Sequence, residues 1–417
     1  MSKEESKKLF IQTLGCQMND TDSQHIIAEL EKYKDYKTTD DMEDADLIII
    51  NTCSVREKPV QKLFSEIGQF NAKKKDGAKI GVCGCTASHL GKDIIDTKGA
   101  VEISIENDDS TYKFARTETS MYKTSVNISI GCDKECTYCI VPATRGDEIS
   151  IPPEMIVQQI QKDVDKGAVE VMLLGQNVNS YGRRFSDKRA KTTFTKLLQE
   201  ISKIEGLRRI RFTSPHPLHM DDEFIEEFSK NPKISKCIHM PLQSGSTSIL
   251  KAMKRGYTKE WFLNRAEKIK KLVPNVRITT DIIVGFPGET DEDFLDTMDV
   301  INKVKFDQIF NFKYSPRPNT AALNLKDKEI ADEIASARLI EVIELHKEHL
   351  VEHMNSNVGK TVEILVENLK SGGEVCGFTD NWCQVFIKGS DELLGKFVKV
   401  KITDASRTAL KGEVISE

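Results

Sequence analysis

Hydrophobic and polar positions alternate in three different rhythms along the chain. Over residues 8–90, short apolar runs are separated by helical stretches. LFIQTLG (9–15), ADLIIINT (45–52) and KIGVCG (79–84) read as strands, and 20–34 and 56–75 as helices. Strand–helix–strand alternation predicts a parallel sheet with right-handed crossovers. Over residues 122–325 the same alternation predicts six βα units. Their strands are KTSVNISI (123–130), VEVMLLG (169–175), LRRIRFTS (207–214), KCIHMPL (236–242), VRITTDIIVGF (276–286) and DQIFNFKYS (307–315). Helices are predicted at 153–166, 191–203, 221–229, 258–272 and 291–304. The pattern is that of a partial TIM-type (βα)6 barrel, whose chemistry gathers at the C-terminal ends of its strands. A long polar helix follows at 327–355. Residues 356–417 then give short strands, TVEILVEN, WCQVFIKG, KFVKVKIT and LKGEVIS, with glycine turns, and predict a small β-barrel. The fold class is α/β, in three domains at 1–121, 122–355 and 356–417.

Composition narrows the setting. The chain is 39% hydrophobic and 30% charged, as in soluble globular proteins, and has a formal net charge of −5. It contains no long apolar run, so no membrane span is expected. Its polar N-terminus, MSKEESKKLF, points to the cytoplasm. There, ten cysteines are better read as metal ligands or catalysts than as disulfides.

Six of those cysteines stand where chemistry is expected. In GCDKECTYC, directly after the first barrel strand, Cys132, Cys136 and Cys139 are spaced C-x3-C-x2-C. Three thiolates on one loop can ligate three irons of a [4Fe–4S] cubane and leave the fourth open to a chelating substrate, S-adenosylmethionine. A zinc site is the competing reading, but it ordinarily needs a fourth ligand. Cys16, Cys53 and Cys85 each end one of the three N-terminal strands, so parallel pairing should bring them together. In GVCGC, Cys85 is preferred over Cys83 because Gly84 lets the chain turn at the strand end. Cys237, Cys376 and Cys383 lack such spacing and are expected in the core.

Polar groups at the predicted barrel strand ends include Gln176-Asn177, Ser214-Pro215-His216, Gln243-Ser244-Gly245 and Tyr314-Ser315. Gln176, Gln243, Ser244 and Asp281 are assigned to the surroundings of S-adenosylmethionine. For Asp281, within an apolar strand, a structural salt bridge to Arg211 is the alternative. Lys203, Arg208, Arg209 and Arg211 are either a solvated face or a contact for RNA phosphate.

The segments TLGCQMN (13–19), NTCSVREK (51–58), GCDKECTYCIVPATRG (131–146), LLGQNVNSYG (173–182), MPLQSGS (240–246) and DIIVGFPGET (281–290) resemble the radical S-adenosylmethionine methylthiotransferases over nearly the whole chain. TLGCQMN and LLGQNVNSYG are similar to the MiaB branch, which modifies prenylated adenosine in tRNA. The C-terminal barrel resembles a TRAM domain, an RNA-binding module. The resemblance implies two [4Fe–4S] clusters, a radical one on Cys132, Cys136 and Cys139 and an auxiliary one on Cys16, Cys53 and Cys85. It implies transfer of a methylthio group to carbon 2 of N(6)-dimethylallyladenosine at position 37, beside the anticodon. Two S-adenosylmethionines are used per turnover, one for the methyl group and one for the radical. The implied partners are the tRNA and a low-potential electron donor such as flavodoxin or ferredoxin. Unactivated aromatic C–H bonds are beyond acid–base residues but within reach of a radical. Two departures from the family stand out. The chain is shorter between Gly91 and Ser120, and Asn319 replaces a glycine in YSPRPNT. Competing functions are a methylthiotransferase acting on a ribosomal protein or on threonylcarbamoyl-adenosine in tRNA, and a non-catalytic Fe–S or zinc RNA-binding protein. On this reading the terminal barrel is a separable handle for RNA.

Overall fold

The computed structural model describes residues 6–33, 35–53, 57–90, 101–102, 117–120, 122–185 and 192–415. Most of the stretch between Gly91 and Ser120 therefore lies outside the described residues. The N-terminal unit is a five-stranded sheet of β1 (Lys7–Leu14), β2 (Tyr36–Thr38), β3 (Leu47–Thr52), β4 (Lys79–Cys83) and β5 (Val101–Glu102), in the order β2-β1-β3-β4-β5. Every pairing in it is parallel. The near-continuous apolar run of β3 fits a strand covered on both faces. Ile48, Ile50, Ile80 and Val82 pack with Leu63, Ile67 and Phe70 of the helix Glu57–Lys73. Ile49 and Leu9 face Ile26 of the helix Gln17–Tyr33 on the other side. Cys83 is buried in this second cluster.

Strand β6 (Thr117–Ser120) pairs antiparallel with β7 (Lys123–Asn127) and so extends the sheet of the second unit. The predicted first barrel strand is interrupted after Asn127. Ser129–Ile130 (β8) leaves the barrel to pair with β9 (Ile149–Ser150). This small ribbon brackets the cysteine loop. The barrel continues through β10 (Glu170–Leu174), β11 (Arg209–Phe212), β12 (Cys237–His239), β13 (Arg277–Val284) and β14 (Gln308–Lys313), all parallel to their neighbours. The halves β7-β10-β11 and β12-β13-β14 join through the parallel bridge Ile210–Ile234. One large core fills the space between these strands and their helices, with Phe224, Phe228, Phe262 and Phe306 fully buried. Asn319, in the place of a family glycine, has φ of 60°, a conformation asparagine tolerates better than most residues.

The long helix spans Asp332–Asn355 and leads into a closed barrel of β15 (Thr361–Lys370), β16 (Glu374–Thr379), β17 (Gln384–Lys388), β18 (Phe397–Ala405) and β19 (Leu410–Val414). The sequence pattern missed β16. In EVCGFT, Gly377 breaks the alternation, and a Cβ there would lie 2.0 Å from the Leu365 carbonyl oxygen, so the close approach of β15 requires glycine.

This barrel is not a loose appendage. Its Thr379–Cys383 turn plugs the N-terminal end of the (βα)6 barrel. Arg211 donates to the carbonyls of Thr379 (2.9 Å) and Asp380 (3.2 Å), Arg209 donates to that of Phe378 (3.2 Å), and Trp382 packs against the buried cluster of Met18, Met172 and Leu174. Arg209 and Arg211 are buried and share the carboxylate of Glu170 at 3.2 and 3.1 Å. Burial pushes Glu170 up, but Arg211, Arg209 and Lys123 outweigh it and hold the carboxyl below its usual range. Arg208 lies 3.9 Å from the Phe397 ring and pairs with Glu363. Lys203 and Arg208 lie on the surface, and Arg209 and Arg211 are buried. The expectation of a solvated or RNA-facing cluster is corrected: three of the four fasten the two barrels together.

Candidate functional site: two sets of cysteines

The strand ends of the N-terminal sheet are in register. Leu14 pairs with Thr52 and Asn51 with Cys83, and the Cys53 amide donates to the Leu14 carbonyl at 3.0 Å. Cys16, Cys53 and Cys85 therefore leave the sheet at the same edge. Gly84 has φ of 83°, and a Cβ on it would stand 2.3 Å from Asn51 Oδ1, so only glycine allows the turn that presents Cys85. A buried network supports this edge. Asn19 Nδ2 donates to Asn51 Oδ1 (3.1 Å), and Asn51 Nδ2 donates to the Asn19 carbonyl (2.8 Å) and Ser23 Oγ (2.9 Å).

The thiols interact with one another. A hydrogen bond with Cys53 is the largest influence on Cys16. It outweighs desolvation and, helped by the N–H groups of Asn19 and Met18 at the helix start, lowers Cys16 to about 6. Cys85 is lowered to about 5, first by a hydrogen bond with Cys53, against burial, and then by Arg145. Burial pushes Cys83 up to about 12. Cys83 thus stands in the core, apart from the interacting three.

The second set lies at the C-terminal end of the barrel. Gly131, at φ 79°, makes the entry turn, where a Cβ would lie 2.0 Å from the Asp147 carbonyl oxygen. The Cys132 amide donates to the Gly146 carbonyl (3.1 Å) and that of Cys139 to the Cys136 carbonyl (3.0 Å). Thr137 anchors the loop from below. Its amide donates to the Met253 carbonyl and its hydroxyl to the Ala252 carbonyl, at 3.2 and 3.0 Å. Tyr138 packs on Ile249, Met253 and Phe286. Arg255, buried, donates to Cys136 Sγ at 3.3 Å while its other arm holds the Pro241 carbonyl at 3.1 Å. Burial raises Cys132 and pushes Cys139 up to about 12. Among the described residues no three His, Cys, Asp or Glu side chains converge tightly enough for a single metal ion. A cubane takes one thiolate per iron corner and needs no such convergence.

Around this loop the strand ends leave polar atoms unsatisfied. Ser129 Oγ, Gln176 Oε1, both polar atoms of the Asn177 side chain and His216 Nε2 are buried without a partner. Such groups are costly unless a ligand completes them. Burial, then Arg255 and Lys134, push His216 far down, so its ring is neutral. Ser214 and Gln243 adopt left-handed φ of 53° and 72°, strain that clusters at functional sites. The donor set suits an amino acid and a nucleoside, as in S-adenosylmethionine.

Of the residues assigned from sequence, Gln176 stands at this edge and donates to Met18 Sδ of the N-terminal unit at 2.6 Å. Gln243 is buried in the segment that follows β12, bonded through its backbone to Asp281 and Ile283 of β13. Asp281 faces His239 Nε2 at 3.2 Å, so the alternative salt bridge to Arg211 is corrected. Ser244 is fully buried, 3.4 Å from Thr297 Oγ1, and accepts from the Ser246 amide. Sequence reasoning missed Arg145 and Arg255. Their partners are distant in the chain, so no spacing signals them.

Three family models match the chain: the Radical SAM superfamily over residues 126–301, the uncharacterized protein family UPF0004 over 8–106 and the TRAM domain over 355–415. The chain is 74% identical over 433 aligned positions to the tRNA-2-methylthio-N(6)-dimethylallyladenosine synthase of Aliarcobacter butzleri (strain RM4018), covering 99% of each. The chain belongs to the family of tRNA-2-methylthio-N(6)-dimethylallyladenosine synthases. The synthase of a Nitratiruptor species is 58% identical, over 98% of this chain and 99% of its own, and that of Campylobacter jejuni (strain RM1221) 56%, over 98% and all of its own. The alignment with the Aliarcobacter relative is longer than this chain's 417 residues, so that relative carries residues absent here. Among solved structures, the radical S-adenosylmethionine methyltransferase TsrM of Kitasatospora setae, with cobalamin and a [4Fe–4S] cluster bound, matches at a TM-score of 0.55 and 13% identity, over 76% of this chain and 77% of that one. That likeness concerns the fold alone.

Proposed function

We infer that this radical S-adenosylmethionine enzyme adds a methylthio group to carbon 2 of N(6)-dimethylallyladenosine at position 37 of tRNA, using two [4Fe–4S] clusters. The observation that carries the reading is the presence of two separate three-cysteine sets at facing strand ends, in a chain 74% identical to a synthase named for that product. Bound clusters and S-adenosylmethionine supply methyl transfer to sulfur and a radical able to break an unactivated C–H bond.

The chain's own residues position these groups. Cys132, Cys136 and Cys139 would hold the radical cluster, beside the polar strand ends that would take S-adenosylmethionine. Gln176, Asn177, Gln243 and Asp281 border that ligand. His216, kept neutral and accepting the Leu218 amide at Nδ1, presents Nε2–H as a donor without adding charge beside a sulfonium. Arg255 fixes Cys136 and shields its sulfur. Cys16, Cys53 and Cys85 hold the auxiliary cluster. The terminal barrel contributes to binding tRNA through surfaces other than the Thr379–Cys383 plug. A low-potential donor such as flavodoxin or ferredoxin supplies electrons, and the reaction takes place in the cytoplasm. No helix among the described residues is long and apolar enough to cross a membrane.

The test is mass spectrometry of tRNA nucleosides from a strain lacking its own synthase and expressing this chain. The 2-methylthio prenylated nucleoside should appear with the natural chain and not with Cys136→Ala. Its absence with the natural, cluster-loaded chain would reject the function.

A further inference from the structure

Arg145 has no part in the roles assigned above, yet it touches both halves of the site. It ends the short helix Val141–Arg145 that follows the Cys132–Cys139 loop, and this helix packs against the helix Cys85–Leu90. Its Nε donates to Cys85 Sγ at 3.2 Å and its Nη2 to Asp22 Oδ2 at 2.7 Å. Asp22 belongs to the helix Gln17–Tyr33, which begins beside Cys16. The Arg145 side chain is 12% exposed and that of Asp22 32%. One guanidinium thus ties the radical loop to the segments that carry two of the three auxiliary thiols. Arginine suits the place because its planar fork can serve a sulfur and a carboxylate at once, which an ammonium on a flexible stem cannot do with fixed geometry.

We propose that Arg145 is a positioning residue that locks the auxiliary site against the radical loop and raises the reduction potential of the auxiliary cluster through its hydrogen bond to Cys85. The proposal rests on Cys16, Cys53 and Cys85 being the auxiliary ligands. Reduction adds negative charge to a cluster, and a cation donating to a ligand sulfur stabilises that added charge. The nearby Asp22 carboxylate offsets part of the effect, so the pair sets the potential between that of a bare cationic contact and that of none.

The experiment uses the full chain with Cys132, Cys136 and Cys139 all changed to alanine, leaving the auxiliary cluster as the one chromophore. It is reconstituted anaerobically and its midpoint is read by a redox titration followed by electron paramagnetic resonance. Arg145→Gln should move the midpoint to lower potential, with Arg145→Lys in between. Asp22→Asn should move it the opposite way, because the guanidinium keeps its contact and loses its counter-charge. Midpoints unchanged in Arg145→Gln and Asp22→Asn overturn the proposal, since a merely structural tie would not move them in opposite directions. If Arg145→Gln takes up no cluster, Asp22→Asn alone decides: an upward shift supports the proposal, and no shift or a downward one overturns it. A parent that binds no iron after reconstitution overturns the ligand assignment itself and the proposal with it.

Discussion

Cys132, Cys136 and Cys139, the proposed radical set, sit on one loop, whereas Cys16, Cys53 and Cys85 come from three segments and meet where parallel strands end. The chemical surroundings differ in the same sense. On the loop, burial raises Cys132 and pushes Cys139 up to about 12, and Arg255 donates to the Cys136 sulfur. The strand-end thiols hydrogen-bond among themselves, and Cys16 and Cys85 are lowered to about 6 and 5. A local loop brings ligands close regardless of charge and relies on iron to displace their protons. A site assembled from distant strands is held by its own hydrogen bonds before any metal arrives.

The sharpest way to break this comparison is to remove one ligand of each kind. Cys136→Ala leaves two thiols on the loop, and reductive cleavage of S-adenosylmethionine should fall to background while the auxiliary iron remains; 5′-deoxyadenosine release measures the first and iron analysis the second. Cys85→Ala should lose about four irons and still form 5′-deoxyadenosine, whereas Cys83→Ala should keep both clusters. Loss of a cluster in Cys83→Ala with retention in Cys85→Ala would reverse the assignment made from the strand ends.

Next in size is the plug that closes the other end of the barrel. Arg211→Ala leaves Glu170 paired with Arg209 but strips the buried donors from the Thr379 and Asp380 carbonyls, and should cost about 1–3 kcal/mol in urea unfolding. An unchanged midpoint would show that the Thr379–Cys383 turn does not need these donors. For the same reason, removing residues 356–417 does not isolate an RNA-binding role. It would uncover Arg209, Arg211 and Glu170 together, contrary to the expectation of a separable handle.

In the metal-free chain, thiol reactivity should follow the difference in surroundings. Cys16 is exposed and lowered to about 6. At pH 7 it should be alkylated by iodoacetamide about tenfold faster than Cys132, with a rate that climbs through pH 6 and then levels. Peptide mass spectrometry reads both sites, and equal rates would remove the electrostatic contrast. The smallest effect belongs to Glu135, inside the loop itself. Its ion pair with Lys254 spans 2.9 Å on the open surface, so Lys254→Ala should leave the unfolding midpoint unchanged in the same assay.

The chain's own pattern determined the parts that depend on neighbours in sequence. Short apolar runs bounded by turns and helical stretches marked β1, β3, β4 and the barrel strands. The spacing of Cys132, Cys136 and Cys139 named an iron–sulfur loop, and Gly84 distinguished the turn before Cys85 from the strand that holds Cys83. Tertiary structure alone decided what depends on distant partners. Arg145 finds Cys85, Asp281 finds His239 rather than Arg211, Ser244 turns toward Thr297, and Arg209 and Arg211 face a turn from the far end of the chain. A charged side chain in a sequence carries no sign of whether water or a buried carbonyl will satisfy it. Only the packing of strands and domains sets that balance of desolvation against hydrogen bonds.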